Sequence, residues 1–158
     1  MPRKENSSVL FCLRLMAFAA LLTLSGCGQS GPPLFDVEGV VKLDGKPLSS
    51  AELTFIPDPS NKDVTPGTGF SDTDGSYVAR YLDRAGLAEG KYTVTIRKSE
   101  ITDTEGVPEE MKADQAQLEM MGLTKQTLKN DYTTPEKTPF KIEVKPGESQ
   151  SHNFELTK

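Results

Sequence analysis

Apolar and polar residues alternate with a period of two along much of the chain. The clearest stretch is 91–97, in which apolar residues occupy the even positions and polar residues the odd ones. Such alternation is typical of a strand with one face in the core and one in water. We therefore expect Tyr92, Val94 and Ile96 to face the core and Thr95 to face water.

Seven stretches of this kind occur, and residues that favour turns separate them. They lie at 37–43, 51–56, 68–71, 77–81, 91–97, 140–145 and 149–156. Short strands with closely spaced turns argue for two packed sheets. The pattern predicts an all-β fold, a seven-stranded antiparallel Greek-key β-sandwich over residues 36–158, in which the last strand folds back after a turn at 146–148.

The alternation stops over 101–139, which we interpret as a short helical insertion before the last two strands. Pro108 and the two glutamates after it are typical of a helix start, and Gly122 of a helix end. A second helical piece is predicted over 124–128 and a loop over 132–139. We expect the three methionines of this region to pack a helix onto a sheet edge, and not to form a ligand-binding cluster; they are Met111, Met120 and Met121.

The N-terminal residues have the pattern of an export signal. Arg3 and Lys4 precede an apolar run over 15–24. This run is shorter than the about 20 residues that a membrane-spanning helix needs, and it fits the apolar region of a signal peptide. The run ends in the tetrapeptide Leu24, Ser25, Gly26 and Cys27. We predict a signal peptide over 1–26.

This segment resembles the signals of bacterial lipoproteins. The resemblance implies cleavage after Gly26 and a lipid on Cys27, namely a diacylglyceryl thioether and usually an N-acyl chain. Two or more acyl chains give stable anchoring. Residues 27–35 would then form a flexible tether, and the protein would lie in the cell envelope, anchored to a membrane and facing the periplasm or the exterior. The alternative is a plain secretory signal with a chance cysteine.

Removal of the signal changes the charge and the cysteine count. The mature chain keeps 15 basic and 22 acidic residues, a net charge of −7, which disfavours nucleic acid and anionic membrane surfaces as partners. Cys12 leaves with the signal, and the lipid occupies Cys27. We therefore expect a domain that is held together by its core, without a disulfide or a thiolate metal site.

Three regions together resemble a known domain family. They are VEGVVKLDGKPL (37–48) with AELTF (51–55), then TDGSY (73–77), and then EGKYTVTI (89–96). They resemble the carboxypeptidase regulatory-like domain, a sandwich of the transthyretin (prealbumin-like) type, and the small bacterial lipoproteins that carry one such domain alone. The resemblance covers about 36–158. It implies a binding, structural or accessory role, and it identifies no partner.

The residues do not indicate enzymatic chemistry. His152 is the only histidine, whereas transthyretin-like hydroxyisourate hydrolases need several and intradiol dioxygenases hold iron with two. A lone imidazole without a thiol also makes a poor zinc site, and no Gly-x-Ser-x-Gly sequence is present. We interpret His152 as a partly buried strand residue and predict no catalytic residue and no cofactor.

One weak metal candidate is the turn at Asp72, Asp74 and Gly75. These residues are similar to the opening of a calcium loop, in which oxygen ligands alternate before a glycine. The twelfth position is Asp83 and not the bidentate glutamate that such loops use. A plain hairpin turn also explains the sequence.

Glycan binding is a further alternative, but the chain has no tryptophan. Tyr77, Tyr81 and Tyr92 have core-facing parity, which leaves Tyr132 as a single candidate ring. Protein contacts through 101–139 or through a sheet edge need no special side chains. We therefore expect a non-enzymatic role based on contacts with another envelope protein, and keep a glycan- or calcium-binding accessory module as the alternative.

Overall fold

Short strands form most of the regular structure, as the alternation predicts. The computed structural model describes residues 31–102, 107, 115–147 and 149–158, and 32–158 belong to one unit with its own core. The strands are β1 (Leu34–Phe35), β2 (Val37–Leu43), β3 (Lys46–Pro47), β4 (Glu52–Pro57), β5 (Gly67–Phe70), β6 (Ser76–Val78), β7 (Arg80–Tyr81), β8 (Arg84–Ala85), β9 (Leu87–Ala88), β10 (Gly90–Arg97), β11 (Ser99–Ile101), β12 (Thr124–Gln126), β13 (Lys141–Val144), β14 (Gln150–Ser151) and β15 (Phe154–Leu156). The helices in this part are α1 (Gln115–Met120) and α2 (Asn130–Thr133). The prediction of an all-β fold is confirmed.

The larger sheet has the order β13-β10-β4-β5-β7-β8, and all its pairs are antiparallel. On β10, Tyr92, Val94 and Ile96 are buried as predicted. Thr95 is only 4% exposed, so the expectation that it faces water is wrong. The inserted region packs against β10, where the buried Thr138 hydroxyl donates to the Val94 carbonyl at 2.7 Å.

The smaller sheet is centred on β2. β3 and β6 pair with one side of β2 in the antiparallel direction, while β14 and β15 pair with the other side in the parallel direction. The prediction of a wholly antiparallel sandwich, with the last strand folded back on its predecessor, is therefore wrong at this point. β13 ends at the end of the domain where β2 begins, since Val144 lies opposite Gly90 and Gln150 lies opposite Val37. A chain that crosses to the other sheet there must run alongside β2 in the same direction.

Aromatic side chains connect the two sheets through the core. Phe55 of the larger sheet lies 6.0 Å from Tyr77 of the smaller sheet, and Tyr77 stacks on Phe154 at 5.8 Å between ring centroids. Phe140 continues the contact from Phe154 to Tyr132 of α2. Full burial of one large apolar side chain stabilises a fold by about 1.5–3 kcal/mol. The series of rings therefore stabilises the packing of both sheets.

The insertion is partly helical and partly a strand pair. α1 ends at Gly122 as predicted, because the Leu123 amide donates to the Leu118 carbonyl and the Gly122 amide to Glu119, with φ of +72° at the glycine. The predicted helix over 124–128 is wrong, since β12 pairs with β11. The predicted helix start at Pro108 lies outside the described residues.

A close contact at Gly39 lets β14 and β15 lie against β2. A Cβ atom at this position would come within 1.9 Å of the His152 carbonyl oxygen. The strand is interrupted at His152 and Asn153 without a change of register, and the Asn153 side-chain oxygen accepts the Val40 amide at 2.9 Å. The Tyr77 hydroxyl donates to the His152 carbonyl at 2.8 Å. Only glycine fits at the contact point.

We expect Gly39→Ala to lower the free energy of unfolding by about 3 kcal/mol, because the new methyl group forces β14 and β15 away from β2. Gly69→Ala is the matched control. Its new Cβ would meet nothing nearer than 3.3 Å, so we expect a loss of about 1 kcal/mol or less. Urea denaturation measures both variants, and equal losses would contradict the assignment of this contact.

Candidate functional site

One end of the larger sheet carries a row of three side chains on its outer face. Arg97 on β10 lies opposite Glu52 on β4, and Glu52 lies opposite Phe70 on β5. Directly opposed residues of antiparallel strands point to the same face, with Cβ atoms about 4.5–5.5 Å apart. The three side chains therefore lie side by side.

A groove of about 510 Å³ opens along this row. We call it the Phe70 groove, and its lining residues are Ser50, Glu52, Phe70, Ser71, Arg97, Ser99 and Glu119. α1 contributes Glu119, whose Oε1 lies 3.0 Å from Nη2 of Arg97. Both side chains are 47% exposed, so this ion pair stabilises the structure by only about 0–1 kcal/mol. The fully buried Leu118 contributes more to holding α1 in place.

Large apolar side chains are exposed beside the groove. Phe70 is 65% exposed, and Met120, which follows Glu119 on α1, is 89% exposed. Ile101 and Met121 of the insertion are about half exposed. Exposed apolar surface that polar residues border is typical of interaction sites. The expectation that the methionines pack a helix onto a sheet edge is wrong for Met120, whereas Met121 is half covered and Met111 lies outside the described residues.

The groove carries an uncompensated negative charge. Arg97 is paired with Glu119, whereas the carboxylate of Glu52 has no hydrogen bond or ion pair with another described residue. Ser71 at the floor of the groove is buried, and its hydroxyl is already hydrogen-bonded within the domain. The hydroxyl donates to the Leu48 carbonyl at 2.7 Å and accepts the Ala51 amide at 2.9 Å. The groove is therefore suited to a partner with an apolar side chain and a cation.

Sequence reasoning missed Phe70, although a signal was present. β5 reads Gly-Thr-Gly-Phe, and both glycines are buried while Thr68 and Phe70 face outward. The outward position thus holds the only large apolar residue of the strand. The role of Glu119 could not be seen, because only the folded insertion brings α1 to Arg97.

The two aspartates of the weak calcium candidate form a turn. The Asp72 amide donates to the Ser76 carbonyl, and the Asp72 carbonyl accepts the Gly75 amide. The Asp74 carboxylate accepts the Ser76 hydroxyl at 2.6 Å and the Ser76 amide at 3.0 Å, and these bonds lower the pKa of Asp74. No group of three or more His, Cys, Asp or Glu side chains suited to a metal occurs in the part of the chain that the structure describes. The site that these residues build is a hydrogen-bonded turn.

His152 lies between β14 and β15 and is half-buried. Its Nε2 atom is buried and has no hydrogen-bond partner among the described residues. Burial lowers the pKa of His152 because it disfavours the charged imidazolium. The residue serves the junction with β2 through its backbone.

The tyrosines lie where their parity predicts. Tyr77, Tyr81 and Tyr92 are buried. Tyr132 is half-buried, stacks on Phe140 at 5.6 Å, and its hydroxyl accepts the Thr157 amide at 3.1 Å. Phe70 is the only exposed aromatic residue in the described ranges, so they contain no pair of exposed rings of the kind that holds a sugar.

The predicted lipidation residue Cys27 lies outside the described part of the chain, as do the predicted signal-cleavage residues Leu24, Ser25 and Gly26. Within the residues that the structure describes, no helix has the length and hydropathy that crossing a bilayer requires. Strand pairing of the domain starts at Leu34, two residues before the predicted boundary, since β1 pairs with β9.

Comparison with known proteins identifies no family. No family model matches the chain, and no curated protein matches it. Among solved structures, a 9R-lipoxygenase from Cyanothece PCC8801 aligns with 92% of this chain at 15% identity and a TM-score of 0.35. The chain spans 20% of the length of that lipoxygenase.

Titration of His152 provides a test of its environment. Because the pKa of the folded state lies below the ordinary value of 6.5, the unfolded chain binds the proton more readily. We expect the free energy of unfolding to fall as the pH drops through about 6.5, and to level off below the folded pKa. Thermal unfolding between pH 7.5 and 5, about the ordinary histidine pKa, measures this loss. This loss of unfolding free energy should be absent in His152→Gln. The same pH dependence in the variant as in the parent chain would contradict the assignment of the loss to His152.

Proposed function

We propose that the protein is a lipid-anchored, non-enzymatic binding module of the bacterial cell envelope, of the carboxypeptidase regulatory-like type. It contacts another envelope protein through the Phe70 groove and the neighbouring insertion. The observation that carries this proposal is the exposed apolar surface beside the groove, at Phe70 and Met120. The absence of an exposed aromatic pair from the described residues makes protein a better partner than glycan.

The position of the groove supports an anchored role. Leu34, which follows the proposed lipid attachment at Cys27 by seven residues in the sequence, pairs with Ala88, just before β10 begins. Arg97 ends β10 seven residues after Gly90, roughly 23 Å away at about 3.3 Å per residue. The groove therefore lies at the end of the domain away from Leu34, where its exposed side chains are accessible to a partner.

The charges in the groove indicate the chemistry of the partner. The Arg97–Glu119 pair is neutral, and Glu52 leaves one negative charge next to Phe70. We infer a protein segment with an apolar side chain over Phe70 and a lysine or arginine beside Glu52. The net negative charge of the mature chain also favours a basic partner through electrostatic steering.

Variants of the groove test the contact. A photo-crosslinking residue at Ser99 in the full-length protein should capture one dominant envelope protein in intact cells. We expect Phe70→Ser and Glu52→Lys each to lower this yield about tenfold. Val64→Ser is the matched control, because Val64 is 62% exposed but lies in another loop, and it should leave the yield unchanged. Equal capture by all variants would refute the groove as the contact.

Lipidation is tested separately through Cys27. Cells fed an alkyne-labelled fatty acid should incorporate the label into the parent chain and not into Cys27→Ala. A labelled Cys27→Ala chain, or an unlabelled parent chain, would contradict the proposed anchor and leave the groove contact to be judged by its own test.

A further inference from the structure

The larger sheet has an open edge at β13. This strand pairs with β10 on one side, and no described strand pairs with its other side. The edge that β14 and β15 form in the smaller sheet is different, since the strand is interrupted at His152 and Asn153, and Tyr132 covers the end at Thr157. The other edge strands, β3, β6 and β8, have two or three residues, so β13 is the longest uninterrupted edge strand in the described part of the chain.

Hydrogen bonding on β10 shows which backbone groups of β13 point outward. The Val94 amide donates to the Phe140 carbonyl, and the Lys91 carbonyl accepts the Asp58 amide on the β4 side. Because the direction alternates along an antiparallel strand, Ile142 is bonded to β10, and Lys141 and Glu143 direct their N–H and C=O groups away from it. No hydrogen bond from these groups to another described residue occurs.

The open edge is limited at both ends. At one end, Pro139 has no N–H group to donate. At the other end, the Gln150 side chain binds both backbone groups of Lys145. Its Nε2 donates to the Lys145 carbonyl at 2.7 Å, and its Oε1 accepts the Lys145 amide at 3.2 Å. Lys141 and Glu143 therefore remain as the two residues able to extend the sheet.

We propose that a second copy of this chain binds this edge, with the two β13 strands antiparallel and Lys141 opposite Glu143 of the other copy. A two-fold axis at Ile142 generates this register, so each contact occurs twice. Both members of each pair direct their backbone groups outward, so both pairs exchange N–H···O bonds. Opposite charges on directly opposed residues stabilise the pairing further.

Other symmetric registers fail for reasons that the structure shows. Lys141 opposite its own copy brings two like charges together and sets Glu143 against Pro139, which has no donor. Glu143 opposite its own copy also pairs like charges, and it sets Lys141 against Lys145, whose backbone groups Gln150 holds. Like charges directly opposite are destabilising. The edge thus selects one register, with the second copy as the complementary partner.

Disulfide trapping tests the register directly. Full-length Lys141→Cys and Glu143→Cys chains with different tags are co-expressed, and the membranes are oxidised. We expect the mixed disulfide to exceed either disulfide between identical chains by about fivefold, because only directly opposed residues bring Cα atoms within the about 4.4–6.8 Å that a disulfide spans. Glu155→Cys, exposed on the other edge strand, is the matched control and should form no dimer.

Two further results make the proposal falsifiable. The parent chain without added cysteine is the control for disulfides through Cys12 or Cys27. A dimer of this parent chain would mean that a native cysteine is free, which indicates failed lipidation and says nothing of the edge contact. In sedimentation of the purified full-length protein in detergent, Lys141→Glu should lose the dimer, and the exchanged variant Lys141→Glu with Glu143→Lys should regain it. A mixed disulfide no more abundant than the others, or an exchanged variant that stays monomeric, would overturn the proposal.

Discussion

The fold depends on Tyr77, which contacts both sheets and the last strand. Its ring lies between Phe55 of the larger sheet and Phe154 of the smaller sheet, and its hydroxyl donates to the His152 carbonyl. Burial raises the pKa of Tyr77, so the hydroxyl remains a donor through the neutral range. This bond holds the backbone at His152 against Gly39, where no larger residue fits. The close approach of the C-terminal strands to β2 depends on that contact.

The insertion gives this sandwich its distinctive surface. α1 reaches the end of the larger sheet and converts an ordinary row of outward side chains into the Phe70 groove. α1 is held by the buried Leu118 and by one exposed ion pair between Arg97 and Glu119. The α1 wall of the groove is therefore held less strongly than the wall formed by the strands of the larger sheet. A partner that fills the groove would stabilise α1 as it binds.

The two sheet edges illustrate how local chemistry decides what an edge can do. The edge formed by β14 and β15 is irregular, because the Asn153 side chain substitutes for a backbone acceptor there. β13 is regular and short, and a lysine such as Lys141 protects an edge from unspecific pairing. Because Lys141 alternates with Glu143, a strand that places like charges opposite them is repelled, whereas a strand with the complementary charges is attracted.

The sequence by itself determined the strands and their inward faces, because a period of two in hydrophobicity specifies which side of each strand meets the core. Each of the seven predicted segments contains strand residues, and Gly122 ends a helix as its conformational freedom predicts. Sheet partners were decided only by the tertiary structure. The parallel pairing of β15, the strand at β12 and the burial of Thr95 all depend on contacts between residues far apart in the chain, and local alternation carries no information about which strand lies next to which. The Phe70 groove depends in the same way on where the insertion packs.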